Sequence, residues 1–449
     1  MIFSLSARRS DTARSRCSSQ NTARLLARSS NGWSGVWSSV SRVARILVVA
    51  GSVAAFSGGV LVPASSVSGQ GMMGMRGGGM GGGVQGVSKQ SVDAYARILK
   101  LDESQKEAVG MLADGFRGSL KAIEKDMEGK FNKLQEDAQE EGWGVYQKEM
   151  PKIIKDMNER QEASQKQFID DIKSLLTPEQ LEEFPSIERH RRRDTLLRMG
   201  MVSGAGVDIW SIHDRLNARE SVVPAENAQQ VTEIMDRYEV DMDRLLQDME
   251  RMYKEDIRKF TEGDQSMMDP TKMLDRLKPY AEVGTRIRDA NRDAARKLEP
   301  LYTQEAQAKF RNEINTRAYP RIYRKGPTAK IFDSAVKIED LDVAQKEQVT
   351  ALKTQYERDI VSLNEAWAKA TDAAEAESGG TFGVMMQGFG GGGGNKELGD
   401  ARKARREADK AAKEKLMEVL SPDQQKQLPS DDSLRENPWE AMMPVADEE

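Results

Sequence analysis

The sequence predicts an all-α protein built from three tandem long helical hairpins with short capping helices, and three observations carry that prediction. The chain is highly charged (31%), modestly apolar (38%) and poor in aromatics (6%), which suits long solvated helices better than one thick core. One pattern recurs three times. "LDESQKEAVGMLADGFRGSL" (101–120) matches "LDVAQKEQVTALKTQYERDI" (341–360), and "VPAENAQQVTEIMDRYEVDM" (223–242) is a weaker copy. Inside each copy the apolar residues step 3, 4, 4, 3, 4: Val109, Leu112, Phe116, Leu120, Ile123, Met127 in the first; Val231, Ile234, Tyr238, Met242, Leu245, Met249 in the second; Val349, Leu352, Tyr356, Ile360, Leu363, Trp367 in the third. An eleven-residue repeat holds about 3.67 residues per turn, so each stripe runs nearly straight along its helix as a core seam.

The N-terminal region stands apart. Residues 1–45 are rich in Arg and Ser with Asp11 the only acid, followed by the apolar run "ILVVAGSVAAFSGGVLV" (46–62) and small residues. Basic, apolar and small segments in that order predict a signal peptide over 1–69, removed on export to a periplasm or cell envelope. An uncleaved single-pass anchor is the alternative, and only then is membrane association expected. Removing eight Arg and one Asp takes the net charge from −5 to −12 and removes Cys17, the sole cysteine. So acidic a chain argues against nucleic acid as a partner.

The segment 70–90 is Gly/Met-rich and expected to be flexible; its thioethers Met72, Met73, Met75 and Met80 are the weak candidates for a soft metal such as Cu(I). The first hairpin is placed at 91–187, a basic linker at 188–205, a degenerate second hairpin at 206–316 and a linker at 317–330. The third hairpin is placed at 331–430 with a Gly-rich tip at 379–395, and an acidic tail at 431–449. Breakers "GWG" (142–144), "EGDQSMMDP" (262–270) and "GGTFGVMMQGFGGGGGN" (379–395) fold each unit back on itself. The arms are then roughly 30–38 residues, about 45–57 Å at 1.5 Å per residue.

Each unit closes on a second motif: "LLTPEQLEEFP" (175–185), "LYTQEAQAKF" (301–310) and "VLSPDQQKQLP" (419–429). From Leu101, Val223 and Leu341 to Thr177, Thr303 and Ser421 the spans are 76, 80 and 80 residues. Thr177 with Gln180 and Ser421 with Gln424 have capping-box spacing, as do Asp102 with Gln105 and Asp342 with Gln345. Pro178 suits a first helical position. These residues, with Thr303, are structural caps.

These motifs resemble the LTxxQ-motif family, the Spy/CpxP-like periplasmic chaperones and stress proteins. Leu101–Gln105 and Leu176–Gln180 match the family's two motifs with Asp102 for Thr; Leu341–Gln345 and Leu420–Gln424 match with Asp342 and Ser421. Unit two departs, with Pro224, Asn227 and Ala306 at the motif positions. The resemblance implies an all-helical cradle that dimerises and binds unfolded or partly folded envelope proteins without ATP. Three tandem units offer another way to build that surface, beside a homo-oligomer. A structural scaffold of self-assembling hairpins is the alternative, and a Met-rich copper binder a further one, with Met385 and Met386 echoing the N-terminal segment. Phosphate loops, zincin and hydrolase motifs are missing from the sequence, so no enzyme and no cofactor is expected. The basic clusters 188–194 and 317–327 read as solvated linkers that pair with acidic neighbours, in preference to contacts with anionic lipid or acidic clients. Neighbouring Arg charges favour neutral His190, and His213 reads as structural.

Overall fold

The computed structural model describes residues 86–197, 201–269, 272–389 and 395–434. The expected signal peptide, Met72, Met73, Met75 and Met80, and the tail past 434 lie outside the described residues. What is described is all-α, with no strand among the described residues.

Helix α1 (Lys89–Ile98) precedes two long helices, α2 (Glu103–Glu141) and α3 (Trp143–Ser174), which pack lengthwise. Their contacts run in opposite directions. Phe116 stacks on Phe168 near one end, ring centres 4.8 Å apart, while Lys130 donates to Asp156 at 2.6 Å nearer the other. Gly142 alone separates the helices; its φ of +93° is a conformation other residues rarely adopt. Val109, Phe116, Ile123, Met127 and Leu134 are buried along α2, so the stripe read from sequence faces inward. Two short helices follow, α4 (Pro178–Glu182) and α5 (Phe184–Leu196).

The second region repeats the plan with α6 (Ile209–Glu220), α7 (Ala228–Thr261), α8 (Met273–Leu298) and α9 (Gln304–Ala318). It holds the most extensive core: the α7 stripe meets Ile287, Ala294 and Leu298 of α8, closed by Tyr302 and Phe310. The third has α10 (Pro320–Tyr323), α11 (Pro327–Ala335), α12 (Val343–Ser378), α13 (Thr381–Phe389), α14 (Lys396–Val419), α15 (Pro422–Gln425) and α16 (Asp431–Leu434). Here α12 packs on α14. Only Val349 and Tyr356 of its stripe are fully buried, and the far end is sealed by Ala368, Ala370, Ala374 and Leu398.

Several boundaries differ from expectation. The arms span 24 to 39 residues, a wider range than the sequence suggests. The presumed basic linker 188–205 is helical through Leu196 and buries Arg193 to 1% exposure, because its guanidinium groups meet acids on α7 rather than water. The linker 317–330 contains α10 and the start of α11, with Tyr319 and Ile322 buried. Residues 381–389 of the Gly-rich tip form α13.

Candidate functional site

The capping boxes turn out to be joined in pairs. Asp102 accepts from the Gln105 amide at 2.8 Å and Thr177 from the Gln180 amide at 3.3 Å, while each Gln carbonyl accepts the cap residue's own N–H. The two glutamines then bond each other across the base of the hairpin. Gln105 Nε2 donates to Gln180 Oε1 at 2.9 Å and Gln180 Nε2 returns to Gln105 Oε1 at 3.0 Å. The remaining hydrogens go to the carbonyls of Leu175 and Lys100. Each amide thus uses both donors and both acceptor positions, which leaves nothing unpaired at the crossing.

Unit three repeats this bond for bond. Gln345 Nε2 reaches Gln424 Oε1 at 3.1 Å and the Val419 carbonyl at 3.0 Å; Gln424 Nε2 reaches Gln345 Oε1 at 3.2 Å and the Asp340 carbonyl at 3.0 Å. Asp342 and Ser421 cap their helices as Asp102 and Thr177 do. Leu175, Leu176 and Phe184 pack around the first clasp, as their place in the motif suggests.

Unit two keeps the topology with other atoms. Asn227 Nδ2 donates to the Leu301 carbonyl at 2.9 Å, the position equivalent to Leu175 and Val419. The carbonyl of Val222, equivalent to Lys100 and Asp340, accepts the Thr303 backbone N–H at 3.0 Å. Thr303 makes no side-chain cap, which corrects its expected role: Ala306 supplies no amide to complete a box and is buried as apolar packing instead.

Two buried polar junctions tie unit two to its neighbours. On one side Arg193 of α5 bonds Glu239 of α7 at 3.0 Å and lies over Trp210. Beside it His190 sits between Tyr95 and Trp210 at edge-on geometry. Burial holds the His190 pKa below its ordinary value; Arg193 adds to the shift and Asp194 opposes it. On the other side Glu375 of α12, 2% exposed, accepts from the Ser203 amide at 2.9 Å and from the hydroxyls of Ser203 and Thr381 at 2.7 and 2.8 Å. Burial raises its pKa against those three bonds. Asp372 nearby receives Arg288 at 3.1 Å and the Tyr319 hydroxyl at 2.7 Å. Gly380, at φ +100°, lets the chain pass where a Cβ would stand 2.5 Å from the Met201 carbonyl.

Chemically, each clasp joins two side-chain amides to backbone groups at helix starts capped by Asp102 and Thr177 or by Asp342 and Ser421, an arrangement that fixes structure. A shallow groove along α7, lined by Glu250, Arg251, Lys254, Glu255 and Arg258, is open to solvent, and its charges pair along the helix and, at Glu250, with Arg192 of α5. No group of three or more His, Cys, Asp or Glu is placed to hold a metal among the described residues, and none of the described helices is long and apolar enough to cross a membrane. His213 is structural, its Nδ1 hydrogen-bonded to the Tyr302 hydroxyl at 2.7 Å. No family model matches the chain, and no curated protein or solved structure matches it.

Proposed function

We propose that the chain is an exported helical protein that binds unfolded or stressed envelope proteins without ATP, in the manner that its resemblance to the Spy/CpxP-like proteins implies. One observation carries the reading. The opening and closing motifs, some 75 residues apart, meet as a single hydrogen-bonded clasp in units one and three, so the motif pairing behind the resemblance is also a physical pairing. The function then falls to the long helical surfaces that the clasps hold together. The test is light scattering of reduced, denatured lysozyme with the full chain present and ATP absent. Suppression of scattering near equimolar ratio is expected; undiminished scattering at several-fold excess of a helical, folded chain contradicts the reading.

A scaffold built from self-assembling hairpins is the second reading. It is favoured by the buried ion pairs Arg193–Glu239 and Arg288–Asp372, which fix successive units rigidly. Sedimentation over a range of concentrations separates the two: a scaffold assembles with no client present.

A further inference from the structure

The boundary between hairpins one and two changes chemistry along its length. At the base it is ionic, with Arg192 paired to Asp243 and to Glu250, and Arg193 to Glu239. At the tips it is apolar: Ile154 of α3, Phe260 of α7 and Met267 are buried together, with Met150 and Met157 half-buried against them. Between these lies a stretch of buried polar atoms without partners: Asn158 Nδ2 and Gln161 Oε1 on α3, and the Tyr253 hydroxyl on α7. Asp156 and Arg160 face α2 through Lys130 and Asp126. Asn158 and Gln161 therefore stand on the other side of α3, one and two turns along from Ile154. Tyr253 lies two turns back from Phe260 on the same face of α7, as Gln161 lies two turns on from Ile154, so the two faces meet there; burial pushes the Tyr253 hydroxyl up to about 12, with Glu162 of α3 adding to the shift.

Polar atoms buried without hydrogen bonds have lost water and gained nothing, so the middle of the seam opposes its own closure. The base is held closed instead by the ion pairs of Arg192 and Arg193 to Asp243, Glu250 and Glu239, although His190 Nε2 and Arg193 Nε there also lack hydrogen-bond partners. We propose that the seam is a jaw, fixed at its ionic base, that opens at the tips to seat an extended apolar segment of an unfolded polypeptide between α3 and α7. The segment's backbone carbonyl takes the Asn158 amide and its N–H the Gln161 carbonyl, and its apolar side chains replace the contacts of Ile154, Phe260 and Met267. The thioethers of Met150, Met157 and Met267 adapt to side chains of different shape. This inference rests on the chaperone reading and names the surface that performs it.

The test uses the full chain with Cys17→Ser, Ile154→Cys and Phe260→Cys, assayed with reduced, denatured lysozyme after oxidation and, by alkylation of the reduced thiols, with the staple absent. Locking the jaw removes the competent population, so about tenfold more oxidised than alkylated protein is expected for equal suppression; both forms lack Ile154 and Phe260, and only the staple differs between them. The second variant, Asn158→Leu with Gln161→Leu, fills the seam with apolar contacts. It is expected to raise the unfolding midpoint while lowering suppression, a pairing that a merely structural role does not produce. Equal suppression by stapled and unstapled protein overturns the jaw and leaves the chaperone reading intact. An inert wild-type chain overturns that reading and the jaw with it. Dimers that form through the tips, lost on stapling and unaffected by lysozyme, overturn the choice of occupant.

Discussion

Unit two and unit three solve the same closure problem with different atoms. In unit three a reciprocal glutamine pair and two side-chain caps seal the base; in unit two one Asn side chain and one backbone N–H reach the equivalent carbonyls, and Thr303 caps nothing. The difference follows from position. Unit two is held from both sides, by Arg193 on Glu239 and by Arg288 on Asp372, and it has the most extensive core. In tandem arrays each unit's stability is partly its neighbours', so an inner unit tolerates a weaker closure than an outer one. The clasp is retained where external support is smaller.

Removing that external support should have the largest effect. Arg193→Ala removes the buried guanidinium that reaches Glu239 and Asp208, but Glu239 keeps Arg189 at 3.0 Å, so a loss of about 3 kcal/mol is expected, the low end for a broken buried pair. Amide exchange should show the loss concentrated in α7. A change confined to α5 would detach the junction from unit two's stability. Smaller is the contrast between closing caps. Ser421→Ala should cost about 1 kcal/mol, whereas Thr303→Ala, with no cap bond to lose, should stay within about 0.5 kcal/mol. Equal costs in urea unfolding would erase the distinction between the units.

Smallest, and opposite in sign at the two junctions, is the effect of pH. His190 has a folded pKa below its ordinary 6.5, so the unfolded chain binds more protons and stability falls as the pH drops below about 6.5. Glu375 has a folded pKa above its ordinary 4.5, so the folded chain binds more protons and stability falls as the pH rises above about 4.5. His190→Gln should flatten the acid-side slope of the unfolding midpoint and Glu375→Gln the other. A single shared slope, unchanged by either substitution, would argue against two independent junctions.

How much of this was legible follows the range over which each signal acts. The seams and capping boxes are local, so their spacing in sequence was enough to place Val109, Phe116 and Tyr356 inward and Asp102, Gln105, Thr177 and Gln180 at helix starts. The bond between Gln105 and Gln180 joins residues 75 apart, and nothing in either box announces that its amide has a second use. The repeat held the clue: Asn227 at the Gln position is a shorter amide, not a loss. The "ERHRRRD" run was misread as a solvated linker because its acidic partners, Glu239 and Asp243, lie on another helix and only folding brings them together. Glu375 was one acid among many until burial singled it out.

The paired clasp is the claim on which the closure of the outer units stands, and a double-mutant cycle on Gln345 and Gln424 tests it most directly. Native-state amide exchange in α12 and α14 gives the opening free energy of unit three for the parent, Gln345→Ala, Gln424→Ala and the double variant. The account predicts a coupling of about 1 kcal/mol or more, the double variant losing less than the two single losses combined, because either substitution already breaks the shared pair. Losses that simply add would mean two independent caps that happen to lie side by side.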